Sequence, residues 1–116
     1  MSDQQGGSIS FDDFLKVDIR TGTIVSAKLN PKARVPAFVL EIDFGDLGTR
    51  LSSAQLTRNY SAEDLEGKQV VAVMNFEPKR IAGVKSQVLV LGAVSDNDGV
   101  VLLEPSFKTG NGISIA

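Results

Sequence analysis

Val17-Asp18-Ile19-Arg20-Thr21-Gly22-Thr23-Ile24-Val25-Ser26-Ala27-Lys28-Leu29 is the stretch on which the fold turns. Ile19, Thr21, Thr23, Val25, Ala27 and Leu29 alternate with Arg20, Gly22, Ser26 and Lys28, a period of two that predicts one long first strand. Gly22 marks a bend. Long, coiled first strands that serve both ends of a small barrel often carry a glycine there.

Upstream, Ser10 precedes Phe11-Asp12-Asp13-Phe14-Leu15, an N-cap with an acidic first turn, which predicts a short helix with Phe11, Phe14 and Leu15 on one side. Downstream, two prolines make Asn30 to Pro36 a loop. Phe38, Leu40, Ile42 and Phe44 then alternate with Val39, Glu41 and Asp43 as a second strand, which Gly45 to Gly48 turns back into a third at Leu51 to Ala54. Ser61, with Glu63 and Asp64 behind it and Gly67 beyond, caps a helical turn. Val70 to Met74 and Val88 to Leu91 are continuous apolar runs, so both of their faces should be covered, one by the barrel interior and the other by a helix, a terminal segment or a second subunit. Asp96-Asn97-Asp98-Gly99 is a hairpin turn into Val100 to Leu103, and it lacks the later carboxylate that a calcium loop requires. Asn111 to Ile115 is expected to add an edge pairing. Five principal strands with a short helix between the third and fourth make an all-β chain, a five-stranded Greek-key OB-fold barrel with short helices and extra terminal segments.

The 116 residues fit one domain, expected over 9–116 behind a flexible tail at 1–8. That tail has no signal-peptide pattern and no apolar run is long enough to span a bilayer, so the expectation is a soluble cytoplasmic protein with no membrane insertion. The chain has no Cys and no His. Thiolate nucleophiles, imidazole bases and most zinc or copper ligands are therefore absent, no P-loop is present, and neither an enzyme nor a cofactor is expected. A net charge of −2 provides no global basic field, so any nucleic-acid contact must rest on a local patch.

That patch is Asn75 to Gln87, with three cations against one carboxylate. Lys79, Arg80 and Lys85 can meet phosphates, while Asn75, Ser86 and Gln87 offer groups for base edges or ribose. A solvated connecting loop is the plainer reading of such a stretch. Asn75 ends a five-residue apolar strand and either closes a turn or faces a groove. Ser52 to Gln55 would face the same groove in an OB barrel. Phe38 and Phe44 belong to the core, whereas Phe76 and Tyr60, near loops, are candidates for a surface role. Glu41 and Asp43 share a face and solvate it, with no apolar pocket that would fit them for acid–base work.

Three motifs in order, Val17 to Ile24, Leu51 to Leu56 and Val73 to Leu89, resemble the tRNA-binding domain attached to methionyl- and phenylalanyl-tRNA synthetases and to synthetase-associated cofactors. The likeness covers the chain from about Phe11 to its end. Its length, Ile42-Asp43-Phe44-Gly45 with Leu47-Gly48, and Gln69 to Val73 are most similar to stand-alone bacterial members described as secretion-related chaperones. The resemblance implies an OB barrel, a homodimer, and a groove that takes tRNA or an unfolded preprotein or peptide segment. Arg20, Ser53, Asn75, Lys79, Arg80, Ser86 and Gln87 fall on the motifs and inherit the groove role, and Arg34 resembles a basic position beside it. Ser106 to Gly110 departs from a stretch that members often fill with proline. The acidic balance also differs from strongly basic synthetase appendages, which favours a chaperone that assists export over a structure-specific tRNA binder.

Overall fold

The computed structural model describes residues 7–116. Most of the expected tail, residues 1–6, lies outside the described residues, while Gly7 and Ser8 are exposed and belong to no element. Helix α1 (Phe11–Leu15) starts where the Asp13 N–H donates to Ser10 Oγ at 3.1 Å. Its apolar side faces outward, with Phe11 71% and Leu15 60% exposed.

The main sheet is built from β1 (Ile19–Leu29), β2 (Phe38–Asp43), β3 (Thr49–Ala54), β4 (Gln69–Val73) and β7 (Leu89–Val90), in the order β3-β2-β1-β4-β7. All neighbours are antiparallel and the sheet curls into a nearly closed OB barrel. Two hairpins stand apart from it, β5 (Lys79–Ile81) with β6 (Val84–Ser86), and β8 (Gly92–Ser95) with β9 (Gly99–Leu102). Helix α2 (Ala62–Leu65) separates β3 from β4, as expected, and is closed by a capping box in which Ser61 and Asp64 each bond the other's backbone N–H.

The core is the inward side of β2, where Phe38, Leu40 and Ile42 are buried, with Phe44 just past its end, packed with Ile24, Leu65, Val70 and Ala72. Each such side chain contributes roughly 1.5–3 kcal/mol by leaving water. The strict alternation expected of β1 is broken. Ile24 pairs with Ile42 but Ser26 pairs with Glu41, so Val25 is a bulged extra residue. A bulge switches the parity of the faces. Gly22 and Ile24 point inward before it and Ala27 after it, which leaves Val25 50% exposed, while Leu29, on the same face as Ala27, is 64% exposed where the strand runs past the core. Gly22 is needed for packing as well as for bending, because a Cβ there would lie 2.6 Å from Phe44 Cε1 and 2.8 Å from Ile42 Cγ2.

Every residue of β4 is buried, as its apolar run predicted. The run Val88 to Leu91 differs: Val88 is buried but Leu89 is 49% exposed, so this chain covers only one face of it. The expected terminal pairing is present. Thr21 N–H donates to the Ile113 carbonyl at 3.0 Å, Gly112 N–H to the Thr21 carbonyl at 2.7 Å, and Ile115 N–H to the Ile19 carbonyl at 2.9 Å. The buried Thr21 hydroxyl donates to the Gly110 carbonyl, and the buried Gln69 carboxamide exchanges hydrogen bonds with Thr109.

Candidate binding groove

β3, at one end of the sheet order, is joined across the barrel seam by a few bonds to Ser86 and Gln87, the residues that lead into β7 at the other end. Gln87 N–H donates to the Leu51 carbonyl at 2.8 Å, and Leu51 N–H donates to Gln87 Oε1 at 2.9 Å. Ser53 N–H donates to Ser86 Oγ at 3.0 Å. The polar groups of Ser86 and Gln87 thus hold the barrel shut. Asn75 has a comparable role at the end of β4, where Oδ1 accepts the Asp18 N–H at 2.9 Å and Nδ2 donates to the Lys16 carbonyl at 2.7 Å, tethering the connection between α1 and β1.

The β5–β6 hairpin turns through Ala82 (φ 48) and Gly83 (φ 84), two left-handed residues that suit the twist of its strands. Asn30 Nδ2 fastens the turn by donating to the Ala82 carbonyl at 3.2 Å. Arg80 stands opposite Lys85 in the ladder and donates to the Gly83 carbonyl at 3.0 Å. Lys79, Arg80 and Lys85 are exposed.

Three adjoining cavities share the side chain of Ile81. The first, about 320 Å³, is lined by Phe76, Lys79, Val88 and Leu89, with Ser86 and Gln87 at its side. The second, about 420 Å³, opens along the seam between Ser53 and Gln55 on one side and Leu89, Val94 and Val100 on the other. A third, about 320 Å³, lies under the proline-flanked loop among Lys32, Arg34, Val35, Ser53 and Gln55. Of the residues singled out in the sequence, Arg34, Ser53, Lys79, Ser86 and Gln87 come together here. Asn75, Arg80 and Lys85 flank the surface without lining it. Arg20 lies elsewhere, in a hollow with Phe44, Asp46 and Asn111, where it donates to Asp18 Oδ1 at 2.7 Å and to the Gly112 carbonyl at 3.1 Å.

Phe76 is exposed and lines the first cavity, in keeping with a surface role, whereas Tyr60 packs on the core and accepts the Leu102 N–H at its hydroxyl. Gln55 lines the second and third cavities, as its place at the end of Ser52 to Gln55 suggested, whereas Ile81, Leu89 and Val94 were not marked as functional by the sequence. For Ile81 the signal is an apolar residue among the cations of its hairpin. The wall carrying Val94 and Val100 is held by Arg58, which donates to the carbonyls of Asp96 (2.8 Å) and Asn97 (2.5 Å), and by Asn59, which donates to those of Asp98 and Val100. Among the described residues no cluster of acidic side chains could hold a metal, and no helix is long and apolar enough to cross a membrane.

A family model described as "Putative tRNA binding domain" matches residues 19–114. Among curated proteins, the chain is 41% identical over 107 residues to the methionine–tRNA ligase of Methanococcoides burtonii and 37% identical to that of Pyrococcus abyssi. It aligns over 92% of its own length with each, but spans only 16% and 14% of theirs. Among solved structures, it is similar to the chaperone CsaA of Bacillus anthracis, with 54% identity, a TM-score of 0.90, and coverage of 95% of this chain and 100% of that one. The CsaA chaperone protein of Picrophilus torridus superposes with a TM-score of 0.87 at 46% identity, over 94% of this chain and 100% of that one.

Proposed function

This chain belongs to the tRNA-binding-domain family, and from that membership and the make-up of the groove we propose a non-catalytic chaperone that holds extended segments of unfolded preproteins and assists their export. The observation that carries the reading is the surface around Ile81, where Phe76, Val88, Leu89, Val94 and Val100 form apolar walls. Ser86, Gln87 and Asn75, the side chains best suited to read bases, are engaged with the barrel's own backbone. Adjoining apolar pockets suit an extended polypeptide, whose alternate side chains fill them. A cytoplasmic site of action fits preproteins before export. The homodimer is supported by the apolar face of α1 and by the exposed Val101, surface a second copy can cover.

Suppression of aggregation of a chemically unfolded test protein, together with binding to peptide arrays, tests the reading. Both should be present and both should be lost in Leu89→Asp; their absence from the unsubstituted protein would sink it. Light scattering behind size exclusion should give twice the chain mass. A second reading, tRNA binding, is favoured by the exposed Lys79, Arg80 and Lys85 on one hairpin. Titrating labelled tRNA at several salt concentrations should give affinity that falls with salt, with a smaller slope after Lys79→Ala and Arg80→Ala.

A further inference from the structure

The three cavities around Ile81 differ in chemistry. No charged side chain lines the second, and the first is apolar apart from Lys79 and Glu77 among its walls and the engaged Ser86 and Gln87. The third holds Lys32 and Arg34 with no carboxylate. Neither cation forms an ion pair among the described residues, whose salt bridges are Lys16 with Asp13, Arg20 with Asp18 and Lys68 with Glu104.

The basic cavity is held in shape before any ligand arrives. Asn30 Oδ1 accepts the Lys32 N–H at 3.0 Å while its Nδ2 fastens the Ala82 carbonyl, so one carboxamide clamps the proline-flanked loop to the hairpin that carries Ile81. Asn30 N–H also donates to the Ala37 carbonyl at 2.9 Å, closing the loop at its base. The stem of Lys32 lies over the turn, with Cδ 3.4 Å from the position a Cβ on Gly83 would take. Ordering costs that would otherwise fall on binding are thus met in the free protein.

We infer that the surface around Ile81 sorts an extended polypeptide by side-chain type, two apolar side chains entering the first and second cavities and a carboxylate settling between Lys32 and Arg34. This rests on the polypeptide-binding reading and adds to it the class of segment preferred. The second cavity lies between the other two, sharing Leu89 with the first and Ser53 and Gln55 with the third. Side chains of a strand alternate between its faces, about 7 Å apart on one face, so the matching pattern is apolar-x-apolar-x-acidic. A polypeptide suits the site better than RNA because Phe76 is the sole aromatic in the three linings, and unpaired bases need stacking platforms.

The test uses fluorescein-labelled Ser/Gly peptides carrying Leu-x-Leu-x-Glu, with Gln or Lys replacing Glu, titrated by anisotropy against the whole chain. The Gln peptide should bind about fivefold more weakly than the Glu peptide, the size of one exposed charge-assisted contact, and the Lys peptide more weakly still. That preference should vanish in a Lys32→Ala, Arg34→Ala double variant of unchanged thermal stability, with Leu dependence retained. Equal binding of the Glu and Gln peptides, with Leu still required, would overturn the sorting but leave polypeptide binding intact. Failure of every peptide would overturn both. A uridine oligonucleotide whose binding is lost in the double variant, while Glu-peptide binding is unaffected by that variant, would assign the two cations to phosphate and also overturn the inference.

Discussion

Gln87 and Leu51 bond each other twice across the barrel seam, the Gln87 amide giving its proton to the Leu51 carbonyl at 2.8 Å and the Gln87 side-chain oxygen accepting the Leu51 amide at 2.9 Å. One residue thereby does with a side chain what a regular ladder would do with a second backbone carbonyl.

Gln87→Ala strips the acceptor from a part-buried amide and should lower stability by about 1–2 kcal/mol. Gln87→Glu keeps an oxygen in place and should recover most of the loss. Urea unfolding midpoints measure both, and an unchanged midpoint in the alanine variant would show that the seam does not depend on this bond.

Gly22→Ala should destabilise by about 1–3 kcal/mol, since the added methyl meets the ring of Phe44 and the side chain of Ile42 inside a packed core. Thermal unfolding reads it directly. A variant as stable as the parent would mean that β1 can shift outward at no cost.

Asp64 is held below its ordinary carboxylate value of 3.8, first by the hydrogen bond from the Ser61 backbone N–H and then by the Ser61 hydroxyl. A depressed folded-state pKa means that the unfolded chain takes up the proton more readily, so the stabilisation is present above the unfolded value and lost as pH falls through the folded one. Asp64→Asn should therefore flatten the fall in stability below about pH 4 while lowering stability near neutrality. Parallel acid limbs in the two proteins would contradict this.

Arg58→Ala removes the bonds that hold the Asp96 and Asn97 carbonyls and frees the distal end of the β8–β9 hairpin. The inner end stays anchored by buried Leu102 and its bond to the Tyr60 hydroxyl. Amides from Val94 to Val100 should then exchange hydrogen about fivefold faster or more, with global stability within about 1 kcal/mol of the parent. Unaltered exchange at Val94 would mean that the hairpin holds itself.

Features settled by neighbours in sequence were legible there. Alternation in β2, the cap on α2 and the Asp-Asn-Asp-Gly turn depend on a few adjacent residues, and each took the expected form. The bulge at Val25 did not show, because it is fixed by registry against Glu41 and Ile42 on another strand. Ser86 and Gln87 read as free polar groups, and Asn75 as closing a turn or facing a groove, because their partners lie 33, 36 and 57 or more positions away. Ile81 drew no notice for the same reason: its importance arises only where the proline-flanked loop, the end of β3 and β7 converge on it.

The pairing of Thr21 with Ile113 reaches across 92 positions. Until residue 113 has been synthesised and has left the ribosome, the outer margin of β1 stands without its last partner, and the buried hydroxyl of Thr21 and carboxamide of Gln69 have only water to bond. Contacts this distant are slow to form because a long loop must close before they reward it. For a stretch of its own synthesis the nascent chain therefore carries an open sheet margin, the same kind of sticky surface that a holder of unfolded polypeptides exists to shield.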